Sequence, residues 1–277
     1  MTGDARFILQ RDGRAGRSAE GLIKARTYGD ERALRCVAPA AGIRKAASDL
    51  AEQVDQLLLG EDFDVLDEVD GWCFGQARRD GYVGFVEAAA LAPRGDPPTH
   101  RVSARNTYAF REPTIRARPS GPITLNSLLT VTAEEGTYAF AEGAGWVPLR
   151  HLVPVGRFAA DPVAVAELLL GAAYVWGGRE ASGLDCSALV QHAHFACGRS
   201  LDRDTDLQAR AGEAISADNL GRGDLVFWRG HVAMLMDAVR IIHANAHHMG
   251  VAIEPLAEAV ARISAAGAGK PTAYRRL

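Results

Sequence analysis

The 277-residue sequence has few cysteines, no long apolar run and no marked excess of charge of either sign. Its four cysteines, Cys36, Cys73, Cys186 and Cys197, are widely spaced, which argues against a disulfide framework and predicts free thiols. The formal net charge of −3 gives no reason to expect a nucleic acid as partner. No segment approaches the roughly 20 apolar residues that cross a bilayer, and residues 1–17 are charged where a signal peptide would be apolar. We therefore expect a cytoplasmic chain with no membrane span.

The first half of the sequence has the residue pattern of small β domains. From about residue 36 to residue 92, short apolar runs alternate with turn residues, at a spacing typical of a small barrel. The proline-rich stretch 92–99 is expected to be a linker. A similar pattern follows over residues 99–153, where Gly145-Trp146-Val147 repeats the ending Gly84-Phe85-Val86. These features predict two small all-β barrels after an N-terminal lead-in or capping segment (1–35). One irregular β domain is the alternative.

After Val155 the pattern changes to longer elements with helical periodicity. We expect helices at 161–170, 185–197 and 256–263, strands at 224–228, 231–237 and 240–244, and a last edge strand at 272–275. Helices that precede antiparallel strands predict an α+β domain over residues 155–277.

One of the four cysteines stands where a thiol is expected to be reactive. A glycine-containing loop leads into Asp185, which can cap a helix, and an apolar helical pattern begins at Cys186. The first turn of a helix has free backbone N–H groups and the positive end of the helix dipole, and both favour a thiolate. Cys186 is therefore the predicted nucleophile, and the other three cysteines are predicted to be small buried side chains.

Two histidines are candidates for the base that such a nucleophile needs. His231 begins an apolar strand, and His243 lies 12 residues later on the next strand, so a hairpin places them side by side. His231 is the predicted base and His243 the group that orients it. His243, His247 and His248 also raise the possibility of zinc, but the intervening residues indicate a loop rather than a helix. We predict neither a metal nor a cofactor.

Six motifs in the second half, taken together and in order, carry a family resemblance. They are Tyr174-Val175-Trp176-Gly177-Gly178, Leu184-Asp185-Cys186-Ser187, Arg203-Asp204-Thr205, Gly223-Asp224-Leu225-Val226-Phe227-Trp228, His231-Val232-Ala233 and His243-Ala244. Residues 155–277 resemble the NlpC-type cell-wall cysteine peptidases. The β-rich first half is similar to the tandem bacterial SH3-like domains of one branch, the γ-D-glutamyl-L-diamino-acid endopeptidases (dipeptidyl-peptidase VI).

The resemblance implies a multidomain fold of two SH3-like barrels, 36–92 and 99–153, followed by a papain-like α+β catalytic domain. It implies hydrolysis of the γ-D-glutamyl bond to meso-diaminopimelate or L-lysine, in murein peptides with a free N-terminal L-alanine, for cell-wall peptide recycling. Cys186, His231 and His243 would form the catalytic triad, and Tyr174 would help to stabilise the oxyanion.

The resemblance also implies a set of substrate-binding residues. They are Asp185, Ser187, Asp204 and Thr205 in the groove, with Asp204 pairing the free amine, and Glu61 and Tyr82 from the first barrel. For the last two, a surface acid and a structural barrel tyrosine are the alternatives.

The sequence departs from the family pattern at two places. Ala188 stands where the family usually has glycine, and Thr205-Asp206-Leu207-Gln208 replaces a Thr/Ser-Tyr pattern, which bears on substrate preference. Two other functions stay open: an amidase or acyltransferase on the same papain-like core, and an exported cell-wall-binding hydrolase.

Overall fold

The change of sequence pattern after Val155 marks a boundary in the fold. The computed structural model describes residues 4–277, and the chain divides between Val155 and Gly156 into two units. The division falls where the sequence predicts the start of the α+β domain.

The N-terminal segment forms a small sheet rather than an extended lead-in, although residues 1–3 lie outside the described residues. Its strands are β1 (Gln10–Arg11), β2 (Arg14–Gly16) and β3 (Thr27–Gly29), with short 3-10 helices at Ala5–Phe7 and Arg17–Ala19. Leu9 is buried and packs with Leu66, Phe74 and Phe85 of the following sheet. The segment thereby covers one face of that sheet, and this burial of apolar area stabilises both parts.

A seven-stranded antiparallel sheet follows. Its strands are β4 (Arg32–Cys36), β5 (Ala40–Arg44), β6 (Gln53–Leu58), β7 (Asp62–Val69), β8 (Trp72–Ala77), β9 (Val83–Glu87) and β10 (Leu91–Pro93), with a 3-10 turn at Ala88–Ala90. Their order is β10-β4-β7-β8-β9-β5-β6, around a core that includes Ile43, Phe63 and Val86. β4 begins at Arg32, before the expected boundary at residue 36. Pro93 still belongs to β10, because an edge strand tolerates a residue without an N–H.

The remaining strands of the first unit have a hydrophobic core of their own. They are β11 (His100–Val102), β12 (Asn106–Phe110), β13 (Pro119–Thr124), β14 (Leu128–Leu129), β15 (Val131–Glu135), β16 (Tyr138–Ala141), β17 (Gly145–Pro148) and β18 (Leu152–Pro154), with a 3-10 turn at Leu149–His151. They form a three-stranded sheet, β14-β11-β18, and a five-stranded sheet, β13-β12-β17-β16-β15. The meander β15-β16-β17 repeats the pairing of β7-β8-β9, as the repeated Gly-aromatic-Val ending predicts.

The second unit combines four α-helices with a nine-stranded sheet in the described residues. The helices are α1 (Pro162–Glu167), α2 (Cys186–Ala196), α3 (Thr205–Gln208) and α4 (Leu256–Ile263), with a 3-10 turn at Ala217–Asn219 and a π-helical turn at Ser264–Ala268. The strands are β19 (Ala173–Tyr174), β20 (Arg179–Glu180), β21 (Gly183–Leu184), β22 (Glu213–Ala214), β23 (Leu225–Trp228), β24 (His231–Leu235), β25 (Arg240–Asn245), β26 (Gly250–Pro255) and β27 (Ala273–Arg276).

The sheet order corrects one sequence-based expectation. The order is β20-β21-β19-β26-β25-β24-β23-β27-β22, so the strand expected at 272–275 is not at the edge. β22 pairs with its outer side, Glu213 opposite Arg276. The sequence does not predict β22, because its two residues are exposed and show no alternating apolar pattern.

The helix that carries the predicted nucleophile lies inside the second unit. All eleven residues of α2 are buried, and the helix packs against β24 and β25. A helix that is buried on all sides belongs to a core, so α2 is a rigid support for its first residue. No helix in the described part of the chain is long and apolar enough to cross a membrane.

Candidate active site

Cys186 is the first residue of α2, as the capping pattern predicts. Asp185 precedes it in an extended conformation, and its Oδ1 accepts a hydrogen bond of 2.9 Å from the N–H of Ala188. This satisfies one of the free donors of the first turn. The side chain of Ala188, in place of the usual glycine, is fully buried.

The Asp185 carboxylate is fully occupied by its neighbours. Arg203 donates to both of its oxygens, at 2.9 Å to Oδ1 and 2.7 Å to Oδ2. The Ser187 hydroxyl donates to Oδ1 at 3.1 Å, and the N–H of Gly177 donates to Oδ2 at 3.0 Å. Arg203 is only 1% exposed. The buried pair therefore ties the glycine loop to the start of α2, next to Cys186.

Sequence reasoning assigned no role to Arg203, although it belongs to the motif Arg203-Asp204-Thr205. A buried arginine is rare without a carboxylate partner, so knowledge that Arg203 is buried would have indicated its ion pair. What the sequence does not give is burial at this position, since it depends on how the loop before α3 folds against α2.

The structure brings the two predicted histidines together. The turn between β23 and β24 consists of Arg229 and Gly230, and Gly230 has φ +75°, which favours glycine. This tight turn sets His231 at the start of β24. Its Nε2 lies 2.8 Å from Nδ1 of His243 on β25.

A carboxylate that the sequence analysis missed continues the chain of polar contacts. The Nε2 atom of His243 lies 2.7 Å from Oε1 of Glu254 on β26, and Arg262 of α4 donates to the same oxygen. β25 and β26 pair in register, with Ile241 opposite Glu254. An acid in an alternating strand next to a histidine strand was the available signal, but the register of that pairing is not readable from local sequence.

Burial sets the protonation states of the thiol and the base. Burial, with the nearby Asp185 charge as the second cause, raises the pKa of Cys186 to about 12, and the hydrogen bond from the N–H of Val232 opposes this shift. Burial lowers the pKa of His231 to about 3, with the neighbouring His243 as the next cause. Desolvation thus opposes the thiolate form that the helix terminus favours. Both groups are neutral at pH 7.

Tyr174 lies beside the nucleophile, at the end of β19. Burial raises the pKa of its phenol, and electrostatic interaction with Cys186 and then with Asp185 raises it as well. The N–H of Val232 also acts on the sulfur. Because Val232 follows His231 directly, the Cys186 sulfur, the Tyr174 phenol and the His231 backbone belong to one site.

Asp204 and Thr205 lie at the start of α3, where both are partly exposed. The second departure from the family pattern has a structural role here. Gln208 is buried, and its Nε2 donates to the carbonyls of Ser187 at 3.0 Å and Asp202 at 2.8 Å. The substituted residue thus fastens α3 to the helix of the nucleophile.

Glu61 and Tyr82 belong to the first unit, and both are buried there. Glu61 is 2% exposed, forms an ion pair with Arg79 and accepts a hydrogen bond from the N–H of Leu58. Tyr82 packs edge-on against Phe7, with ring centroids 5.7 Å apart. The interpretation of Glu61 as a surface acid is therefore wrong, because its carboxylate is enclosed and charge-paired.

The histidine cluster does not form a ready metal site. His247 and His248 lie on an exposed turn, whereas ligand atoms of His243, His248 and Glu254 all lie within 4.8 Å of one another. Zinc bound to a histidine nitrogen and a carboxylate oxygen holds the two atoms roughly 3.3 Å apart. The observed 2.7 Å between His243 Nε2 and Glu254 Oε1 is a hydrogen bond, and an ion would have to push the pair apart.

Both units of the chain are similar to known protein domains. The sequence profile of the NlpC/P60 family matches residues 171–268, and that of the bacterial dipeptidyl-peptidase Sh3 domain matches residues 43–91. Two curated relatives, from Bacillus cereus and Bacillus subtilis, are named γ-D-glutamyl-L-lysine dipeptidyl-peptidase. The first is 25% identical over 73% of this chain and 70% of its own, and the second is 28% identical over 74% and 76%.

A solved structure shows the same fold. The crystal structure of an NlpC/P60 family protein from Bacillus cereus covers 88% of this chain and 99% of its own, with a TM-score of 0.75 at 19% identity. The four cysteines are free in the structure, as predicted. The chain thus carries a bacterial dipeptidyl-peptidase SH3 domain ahead of an NlpC/P60 domain, and it is a peptidase.

Proposed function

We propose that the chain hydrolyses the γ-D-glutamyl bond to a diamino acid, meso-diaminopimelate or L-lysine, in murein peptides with a free N-terminal L-alanine. The observation that carries the proposal is Cys186 at the start of a buried helix, with the N–H of Val232 bonded to its sulfur. Val232 directly follows His231, which lies within hydrogen-bond distance of His243. The names of the two Bacillus relatives support the choice of bond. Recycling of cell-wall peptides is the proposed setting.

The neutral resting pair leads to a general-base mechanism. His231 removes the proton from the Cys186 thiol as the sulfur attacks the γ-carbonyl carbon of D-glutamate. The resulting imidazolium then protonates the departing amine of the diamino acid, and the C–N bond breaks to leave a thioester. Water attacks the thioester with His231 again as base, which restores the thiol and releases the dipeptide.

The developing oxyanion needs donors at the nucleophile. We propose that the backbone N–H of Cys186 and the phenol of Tyr174 serve as these donors, because the raised pKa of Tyr174 keeps it protonated. Asp185 and Ser187 hold this arrangement through Arg203. The papain-like description of the unit and a second SH3-like domain over residues 99–153 are part of the same proposal.

A free ammonium group costs several kcal/mol to bury unless a carboxylate pairs with it. We propose that Asp204, which is only partly buried, pairs with the N-terminal amine of the substrate. An acid at this place selects trimmed peptides over intact cell wall.

The test is mass spectrometry of the products from L-Ala-γ-D-Glu-meso-diaminopimelate. The wild-type protein should release L-Ala-D-Glu and free diaminopimelate, and the variant Cys186→Ala should release neither. Cys197→Ala, at the other end of the same helix, is the matched control and should keep full activity. Transfer of the acyl group to an added amine, with no hydrolysis, would assign the chain to the acyltransferases instead.

The role of Asp204 has a separate test. Acetylation of the substrate amine and the substitution Asp204→Asn should each lower kcat/KM by at least about tenfold, and their effects should not add, because both remove the same ion pair. Asp218→Asn, at an exposed acid of the same unit, is the control. Equal turnover of free and acetylated peptides would refute this part alone.

A further inference from the structure

Glu254 determines which ring nitrogen of His243 and of His231 carries the proton. A carboxylate can only accept hydrogen bonds, so the 2.7 Å contact with His243 requires a proton on its Nε2. A neutral imidazole has one protonated nitrogen, so Nδ1 of His243 is an acceptor. The 2.8 Å contact between the rings then requires the proton of His231 to lie on its Nε2.

This order leaves one nitrogen of His231 without a proton. Nδ1 is the base nitrogen that remains for the thiol, and it carries a lone pair only because the acceptor at the far end of the chain is a carboxylate. A donor group at position 254 would reverse both tautomers and would protonate Nδ1. The base function of His231 thereby depends on a residue that is separated from it by a whole imidazole ring.

The negative charge of Glu254 also supports the base function of His231. The Arg262 charge, the larger of the two effects, lowers the pKa of His231, and the Glu254 charge raises it and so favours the imidazolium form. The Glu254 side chain is only 11% exposed, so solvent screens its charge weakly. Arg262 donates to the same oxygen that accepts from His243, and thus holds the carboxylate against the ring.

We propose that Glu254 is a positioning residue for the base: through His243 it fixes the tautomer of His231, and its charge supports the imidazolium that forms when Cys186 is deprotonated. Arg262 fixes Glu254 in place. The inference rests on the proposed roles of Cys186 and His231. It does not depend on which peptide is the substrate.

The direct test needs no substrate and no variant. In protein labelled with ¹⁵N-histidine, nitrogen chemical shifts distinguish protonated from unprotonated ring nitrogens. At pH 7 both His231 and His243 should be protonated at Nε2 and bare at Nδ1. A proton on Nδ1 of His231 in the wild-type protein would overturn the proposal, whatever peptide the enzyme cleaves.

Variants at position 254 separate the tautomer from the charge. Glu254→Gln can still accept through its amide oxygen but has lost the charge, and Glu254→Ala has lost both. We expect kcat to fall by about 10- to 100-fold for glutamine and further for alanine, at nearly unchanged KM. Glu254→Asp should recover part of the loss. Glu258→Gln, at an exposed acid on α4, is the control for removal of one charge and should keep wild-type kcat.

Alkylation of Cys186 by iodoacetamide, followed by mass spectrometry of its peptide, gives the same information without a peptide substrate. The rate at pH 7 should fall in the order wild type, Glu254→Gln, Glu254→Ala. Wild-type alkylation rates in a folded Glu254→Ala protein would refute the proposal. If alkylation follows this order but L-Ala-γ-D-Glu-meso-diaminopimelate is not cleaved, the proposed substrate is wrong and the role of Glu254 stands.

Discussion

His231 Nε2 and His243 Nδ1 lie 2.8 Å apart, within hydrogen-bond distance of each other. A third side chain of the triad that is itself an imidazole can take either of two tautomers, whereas an aspartate in the same place can only accept. The tautomer of His231, the proposed base, therefore depends on the group that contacts the His243 ring. This property makes His243 the most informative position after Cys186, the proposed nucleophile.

Replacement of His243 by alanine should remove the orientation of the base. We expect kcat/KM to fall by about 10³-fold or more, because loss of the orienting group in a triad leaves the wrong tautomer populated. His247→Ala is the control, since His247 is an exposed histidine on the turn that follows β25. A loss of less than tenfold in a folded His243→Ala protein would remove His243 from the triad.

The value of kcat/KM should not fall at mildly acidic pH, as it would if the base had the pKa of an ordinary histidine. Burial holds the pKa of His231 at about 3, so the base is neutral well below the usual histidine value of about 6.5. We expect kcat/KM to vary by less than about twofold between pH 5.5 and pH 7.5. Steady-state kinetics over this range would contradict the prediction if a pKa near 6.5 appeared.

Arg203 should contribute more to stability than an exposed arginine does. Replacement of Arg203 by methionine leaves the buried Asp185 charge without its partner, which typically costs about 3–5 kcal/mol of unfolding free energy. Arg222→Gln breaks an exposed pair with Asp161 and should cost less than about 1 kcal/mol. Hydrogen exchange of the α2 amides would measure both. Similar losses of unfolding free energy for the two variants would refute this role of the buried pair Arg203–Asp185.

His194 should make the catalytic unit sensitive to acid. Burial lowers the pKa of His194 to about 4, with the Arg199 charge as the second cause, and neither ring nitrogen has a hydrogen-bond partner among residues 4–277. Between pH 6.5 and about pH 4 the unfolded chain binds a proton that the folded chain does not. The unfolding free energy therefore falls as the pH falls, by about 1.4 kcal/mol per pH unit for this one group.

The matching variant is His194→Leu, which removes the titration and keeps an apolar side chain. The slope of unfolding free energy against pH, from hydrogen exchange of α2 between pH 4.5 and pH 6, should be smaller by about 1.4 kcal/mol per unit than in the wild type. His247→Ala should not change the slope, because that side chain is already exposed. Equal slopes for His194→Leu and wild type would count against the prediction.

The sequence was informative where a feature depends on neighbours along the chain. Asp185 followed by an apolar helical pattern predicts the start of α2 at Cys186, because capping is local. The hairpin of His231 and His243 follows from period-two strands joined by a short turn. Each of these features involves at most a few consecutive turns or one hairpin.

The features that the sequence did not predict arise from distant pairings. Arg203 reaches Asp185 only after the loop before α3 folds back, and Glu254 reaches His243 through the register of β25 and β26. The protonated state of Cys186 has the same origin. Its local position favours a thiolate, but the free energy of the charged form depends on burial by the whole unit.

The interior position of β27 has a consequence for the order in which the protein is made. β23, β24 and the helix of Cys186 leave the ribosome before β27, yet β27 covers the open side of β23 through the pairs Leu225–Arg275, Val226–Tyr274 and Phe227–Ala273. Until residue 276 has emerged, the apolar edge of β23 can pair with a strand of another nascent chain. Translation speed across residues 229–276 therefore sets how long the unfinished sheet is exposed to misassembly.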